Sequence, residues 1–322
     1  MATELVKAQG SAIERLSFDA FEYFKAHLSD NTRRCYASAW KRFLCWCRLH
    51  CLDPLGCEPQ HVALYATELA KSGRKVATVE LAMAAIAKAW TLSGQQSPLH
   101  AQALKLVLQG IRRKHGKPPE QVAALTPSYL RETINAFPSS PLWTLRNARN
   151  RAILTLGFAG AFRRSELVGL DVDDLSFGDE GVKVLIKKSK TDQEGKGRFI
   201  GIPYGSVLET CPVRSLLAWV EKLHRASGPL FVSTSQNGAL TCNRLSGQAV
   251  ARMISTATKR AGFIYRFSGH SLRSGLVTAA VKAGKSIASI QAQTGHTSVN
   301  VLVQYARNES LFDDNAAAGI GL

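Results

Sequence analysis

The stretch GHTSVNVLVQYARN (Gly295–Asn308) sets a glycine-histidine pair ahead of an apolar run and places Tyr305 nine residues beyond His296. Further back, GHSLRSG (Gly269–Gly275) opens on a second Gly-His pair and carries Arg273 three residues after His270. Further back still, GAFRRSEL (Gly160–Leu167) holds Arg163 and, three residues on, Glu166. Residues three apart on a helical turn share a face. His270 and Arg273 are therefore aimed at a common anion, and Glu166 lies beside Arg163. Any one of these islands alone carries little; their order and spacing carry the reading.

The rest of the chain is consistent with a polyanion partner. Its 322 residues carry 41 Lys and Arg against 24 Asp and Glu, a formal charge of +17, and the isoelectric point is near 9.8. An excess of that size points to nucleic acid. Hydrophobic residues make up 45%, ordinary for a globular protein long enough for two domains. No apolar run is long enough to span a membrane, and the N-terminal MATELVKAQGSAIERLSF has no basic region followed by an apolar core. Seven cysteines, an odd number, suggest reduced thiols and a cytoplasmic protein.

Residues 1–15 read as a flexible N-terminus, and 16–114 as a helical domain. Ser29-Asp30-Asn31-Thr32 offers helix-start chemistry before Arg33–Arg48, and Pro59–Ser72, Lys75–Leu92 and Ala101–Lys114 repeat apolar residues at three and four. The breaker cluster His115-Gly116-Lys117-Pro118-Pro119 begins a linker over 115–125. In 126–322, helices are expected at Pro127–Phe137, Leu145–Phe158, Val213–Ala226, Ser246–Ala261, Ser271–Ala283, Ser286–Thr294 and Val299–Tyr305. Val182–Lys187 and Arg198–Pro203 read as a hairpin with a long, lysine-bearing tip. The fold class is mainly α with a small β-sheet.

Together the three islands resemble the tyrosine recombinase, or phage integrase, family. Its marks are an R-x-S/A-E box, an H-x-x-R box, a G-H/W box and a tyrosine nine residues later, and all appear here in order. The segment Gly295–Asn308 is most similar to Cre-like members. The resemblance covers roughly residues 145–310. It implies a helical N-terminal core-binding domain, an α/β catalytic domain, and cleavage and rejoining of duplex DNA through a 3′-phosphotyrosine intermediate.

The chemistry of the residues agrees. Charge accumulates on the oxygens of an attacked phosphodiester, and two guanidiniums, Arg163 and Arg273, can clamp them bidentately. Arg164 is a neighbour of the same type, and the spacing to Glu166 selects Arg163. By resemblance Glu166 orients this shell. His270 and His296 are phosphate contacts and proton handlers. Tyr305 is the nucleophile. A free phenol has a pKa near 10, so about one in a thousand is ionised at pH 7, and neighbouring cations must supply roughly 4 kcal/mol. The departing 5′-oxygen needs a proton, which in the family comes from a hairpin lysine. Ser189-Lys190-Thr191 resembles the Cre-like hairpin and selects Lys190; Gly195-Lys196-Gly197 resembles other members and keeps Lys196 open.

A covalent phosphotyrosine conserves the bond energy, so no cofactor, metal or ATP is expected. Ala279–Ser286 (AAVKAGKS) lacks the first glycine of a phosphate loop and follows no strand. Asp171, Asp173 and Asp174 crowd within four residues and read as turn chemistry rather than a metal pair. Cys45, Cys47, Cys51 and His50 lack a second C-x-x-C and read as buried thiols.

DNA contact is expected from Arg33, Arg34, Lys41, Arg42, Arg74 and Lys75, mostly to phosphates. Arg244 and Gln248, four apart, open the helix that in Cre-like members enters the major groove, where Arg reads guanine and Gln adenine. The resemblance further implies a homotetramer on two double-stranded DNA sites, and a monomer when free. Two other readings remain open: a topoisomerase of type IB, and a non-catalytic DNA-binding protein on this scaffold.

Overall fold

A computed structural model describes residues 28–118, 122–137, 145–189, 192, 195–235, 237–296, 298–299 and 302–303. Lys190 and Tyr305 lie outside the described residues, as do the flexible-terminus reading at 1–15 and the segment 304–322. The chain divides into two units, Met1–Pro119 and Glu120–Leu322.

The first unit holds α1 (Asp30–Leu49), α2 (Pro59–Lys71), α3 (Val76–Leu92) and α4 (Gln102–His115). The Ser29 hydroxyl accepts the Thr32 N–H at 3.3 Å, a side-chain cap that starts α1. Ala39, Phe43, Trp46 and Cys47 recur at helical spacing on the buried face of α1. The Phe43, Trp46 and Tyr65 rings pack with centroids 5.1–6.1 Å apart, and Trp46 donates its indole N–H to Glu68 at 2.7 Å. With that face buried, Arg33, Arg34, Lys41, Arg42 and Arg48 are left at the surface, as are Arg74 and Lys75 in the turn before α3. The buried-thiol reading holds for Cys47 alone of its three cysteines. Cys45 and Cys51 are exposed, because the helix turns the first outward and the second lies past the end of α1.

The second unit contains α5 (Pro127–Asn135), α6 (Leu145–Ala159), α7 (Arg164–Gly169), α8 (Pro212–Leu223), α9 (Gly247–Arg260), α10 (Ser271–Lys282) and α11 (Ile287–Thr294). Its strands are β1 (Leu175–Gly178), β2 (Gly181–Ile186), β3 (Arg198–Pro203), β4 (Val232–Thr234) and β5 (Leu240–Arg244). Five successive residues of α6, Ala152 to Leu156, are buried, which requires cover on every side; α8 and α10 provide much of it. β1, β2 and β3 form one antiparallel sheet, and β4 pairs with β5. The alternating Val182, Val184 and Ile186 bury one face of β2, with Val184 opposite Ile200 and Val182 opposite Ile202 on β3. The hairpin is the one read from the sequence. β1, β4 and β5 are additions, at three to five residues too short to show an alternation.

Two expectations are corrected. Residues 122–125, read as the end of a linker, pack within the second unit. Leu125 is fully buried, its N–H donates to Ser271 O at 2.8 Å, and the Ala123 N–H donates to Arg266 O at 3.0 Å. The apolar Val122–Leu125 lies so close to α10 that a Cβ at Gly275 would stand 2.0 Å from the Leu125 oxygen. The second correction concerns Arg244. Its guanidinium donates to Val168 O (2.8 Å), Leu170 O (2.9 Å) and the Asp171 carboxylate. A fork engaged on three internal acceptors braces β5 against the end of α7 and is turned to the protein rather than to a base edge. Gln248, in the first turn of α9, is exposed.

Asp171 and Asp174 are structural as well. Asp174 is buried, and the Lys187 ammonium lies 2.7 Å from its carboxylate and 3.3 Å from that of Asp171. This pairing, to Asp174 first, raises the Lys187 pKa. Among the described residues no helix is long and apolar enough to cross a membrane.

Gly275→Ala tests the packing of 122–125 on α10. Overpacking against backbone costs about 1–3 kcal/mol, so chemical unfolding of the second unit should show a loss of that size. An unchanged midpoint would mean the segment yields freely.

Candidate active site

The polypeptide after α6 turns through Gly160, Ala161 and Phe162 before α7 begins. Ala161 takes a left-handed conformation (φ +47°), which is strained for a residue with a side chain. The turn is held from both sides. Phe162 is 1% exposed in the core, and the Ala161 carbonyl accepts the Arg273 Nη1–H at 2.8 Å. The turn delivers Arg163 to the N-terminus of α7, where Glu166 receives it twice. The Glu166 carboxylate accepts the Arg163 backbone N–H at 2.8 Å and its Nη1–H at 2.6 Å. The Glu166 side chain is wholly buried and that of Arg163 is 20% exposed, so the pair is not a surface ion pair. Arg164 points elsewhere and runs across Gly269, whose Cβ position would lie 2.1 Å from Arg164 Cδ.

Arg273 comes from the first turn of α10 and is 2% exposed. Its Nη1 donates to the Thr294 carbonyl at 2.7 Å as well as to Ala161. Arg163 Nη2 reaches the next carbonyl, that of Gly295, at 3.5 Å. Two arginines 110 positions apart in sequence thus meet on consecutive carbonyls at the end of α11.

His270 precedes α10 and is the more exposed of the two histidines, though partly covered. His296 follows Gly295, the left-handed residue that ends α11, and lies in the short non-helical stretch after that helix. Its Nδ1 is 2.7 Å from Thr294 Oγ1. Partial burial, then Arg273, Arg163 and Arg164, pushes the His270 pKa down. Burial, then Arg273, Arg163, His270 and Arg198, pushes His296 down to about 4. Both imidazoles are therefore neutral at pH 7 in strongly cationic surroundings. A bound anion would be stabilised electrostatically by such a site.

The hairpin supplies the remaining cations. Lys187 is committed to Asp171 and Asp174. Lys196 lies in the loop before β3, shaped by Asp192, whose carboxylate accepts the N–H groups of Gly195 (3.0 Å), Lys196 (3.1 Å) and Gly197 (2.8 Å). These bonds, that from Gly197 first, lower the Asp192 pKa. The structure thus brings Arg163, Glu166, His270, Arg273 and His296 together. Sequence reasoning missed Arg198 and Thr294, which act through backbone carbonyls and a side-chain hydroxyl. No residue pattern flags such contacts.

A cluster of paired guanidiniums and neutral imidazoles is suited to a phosphate anion. Comparison with known proteins specifies it. Residues 124–310 match the model of the phage integrase family. The chain is 33% identical over 307 residues to an integrase/recombinase XerD homolog of Selenomonas ruminantium, covering 94% of this chain and 89% of that one. It is 25% identical over 323 residues to the recombinase Cre of Escherichia phage P1, covering 94% and 91%. In fold it is similar to the Tn1549 transposon integrase in complex with transposon right end DNA, with a TM-score of 0.63 at 16% identity, covering 89% and 92%. A lambda integrase dimer bound to a COC′ core site gives a TM-score of 0.57 at 18% identity, covering 90% and 93%. The chain belongs to the phage integrase family and is a site-specific tyrosine recombinase.

Burial and the cationic surroundings make a specific demand on His296. Its folded-state pKa lies below the ordinary 6.5, so the unfolded chain binds the proton more readily. Its contribution to stability is therefore intact above pH 6.5 and falls as pH drops towards about 4. A histidine carbon-13 titration of the DNA-free protein should give His296 a midpoint near 4; an ordinary midpoint would contradict the electrostatics described.

Proposed function

We propose that the second unit cleaves and rejoins DNA through Tyr305. The Tyr305 oxygen attacks the scissile phosphorus, a P–O bond to tyrosine forms, and the bond to the 5′-oxygen breaks. The products are a 3′-phosphotyrosine and a free 5′-hydroxyl. Reversal by a 5′-hydroxyl from another strand completes exchange. Arg163 and Arg273 clamp the non-bridging oxygens, and Glu166 fixes Arg163. Neutral His270 accepts the phenolic proton, and His296 handles a proton beside the phosphate through Nε2. Lys190 protonates the departing oxygen, with Lys196 as the other candidate. Because the intermediate retains the phosphodiester energy, the steps balance without nucleotide hydrolysis.

The observation that carries this reading is the meeting of Arg163 and Arg273 on the consecutive carbonyls of Thr294 and Gly295, with both histidines neutral beside them. Residues 16–114 are the DNA-gripping domain in this account, with Arg33, Arg34, Lys41, Arg42, Arg74 and Lys75 on phosphates, and 126–322 the catalytic domain. Gln248 reads a base from α9. Exchange between two sites calls for four protomers on DNA that are monomers when free. The reduced thiols and the DNA substrate suit a cytoplasmic, DNA-associated place.

Covalent trapping tests the reading. Wild type and Tyr305→Phe are mixed with a duplex pool in chelator and denatured. Retention of DNA by wild type alone is expected. Retention by both would remove Tyr305 as nucleophile, and tight binding with no adduct in either would favour a DNA-binding protein.

A further inference from the structure

Arg198 opens β3, two residues after Lys196. Its guanidinium crosses to α11. Nη1 donates to Ala292 O (3.2 Å) and Gln293 O (3.1 Å), and Nη2 donates to Thr294 O (3.3 Å). These carbonyls close α11, where the helix itself provides no donors and the dipole favours a cation. Gly295 follows with φ +64°, and a Cβ there would stand 2.9 Å from Arg198 Cζ, so the guanidinium lies directly against the glycine. Burial lowers the Arg198 pKa, while the Glu166 carboxylate opposes the shift.

The next residue is His296. The fully buried Thr294 hydroxyl donates to Ile290 O at 2.7 Å. With its one proton committed, it accepts from His296 Nδ1–H at 2.7 Å, which leaves Nε2 with the free lone pair. Thr294 thus sets the tautomer of His296, and Arg198 sets the position of the turn that carries it. Thr294 O accepts from Arg273 as well, so Arg198 and Arg273 share one anchor.

We propose that Arg198 is a positioning residue that clamps the base of the lysine-bearing hairpin to the last turn of α11, holding His296 and Lys196 in one frame. The catalytic use of that frame rests on the recombinase reading; the clamp itself does not. Arg198 touches neither substrate nor reacting atoms in this assignment. It acts by fixing groups that do, and misplacement of such groups by about 1 Å costs on the order of 100-fold in rate.

The full chain carrying Arg198→Gln is compared with wild type in adduct formation, DNA affinity, thermal midpoint and His296 titration. The charged and titratable groups facing His296 are Arg273, Arg163, His270 and Arg198 itself. The clamp predicts adduct formation slower on the order of 100-fold, unchanged DNA affinity, and a His296 midpoint moved up from about 4. Arg198→Lys, which restores a cation without the planar fork, should recover part of the rate and keep the midpoint low. A wild-type rate with an unchanged His296 midpoint overturns the proposal. So does a parallel fall in thermal midpoint, affinity and rate, the mark of a purely structural residue. If Arg198→Gln does not fold, Arg198→Lys carries the same comparison. Failure of wild type to form any adduct would count against the recombinase reading, while the DNA-free titration would still decide the clamp.

Discussion

A guanidinium that is 2% exposed has to be bonded, because an unpaired cation in the protein interior is prohibitively costly. Arg273 meets that demand with two backbone carbonyls, Ala161 O and Thr294 O. Those two acceptors stand just past the end of α6 and at the end of α11, so one side chain ties together the turn that presents Arg163 and the turn that presents His296. Ala161, one of the two acceptors, is itself the strained residue, and the left-handed Gly295 directly follows the other. Arg198 and Arg163 add their donors to the same carbonyl cluster. The end of α11 therefore acts as an electronegative hub that gathers cations which would otherwise repel one another. The only carboxylate in direct contact with Arg163 among the described residues is that of Glu166.

The same constraint divides the basic residues of the second unit into two kinds. Some are spent on structure: Arg149 on Val232 O, Arg244 on the end of α7, Lys187 on two aspartates. Others stand near the two histidines and, together with burial, depress them. The +17 charge alone does not distinguish the kinds; the acceptors each cation finds in the fold do.

What the sequence made legible was local. Arg163 with Glu166, and His270 with Arg273, sit three apart, and a spacing of one helical turn is visible without a structure. The long helices and the β2–β3 hairpin showed their periods for the same reason. The family match over 124–310 agrees with the resemblance those motifs carried. What stayed hidden was non-local or carried by backbone. Arg198 bonds carbonyls 94 to 96 positions away, and a carbonyl has no residue signature. Arg244 looked like a base reader because its neighbours in sequence suited that role, whereas its partners at Val168 and Leu170 lie over 70 positions back. Residues 122–125 looked like linker because the prolines before them dominated the local pattern. Strands of three to five residues offered too little alternation to be seen.

The most direct test is a crystal structure of the covalent adduct, on a DNA sequence recovered by trapping. The account predicts one phosphate linked to Tyr305, with its non-bridging oxygens bonded by Arg163 and Arg273 while Arg273 Nη1 still holds Ala161 O and Thr294 O. A phosphate bonded elsewhere, with Arg273 buried and out of its reach, would contradict it.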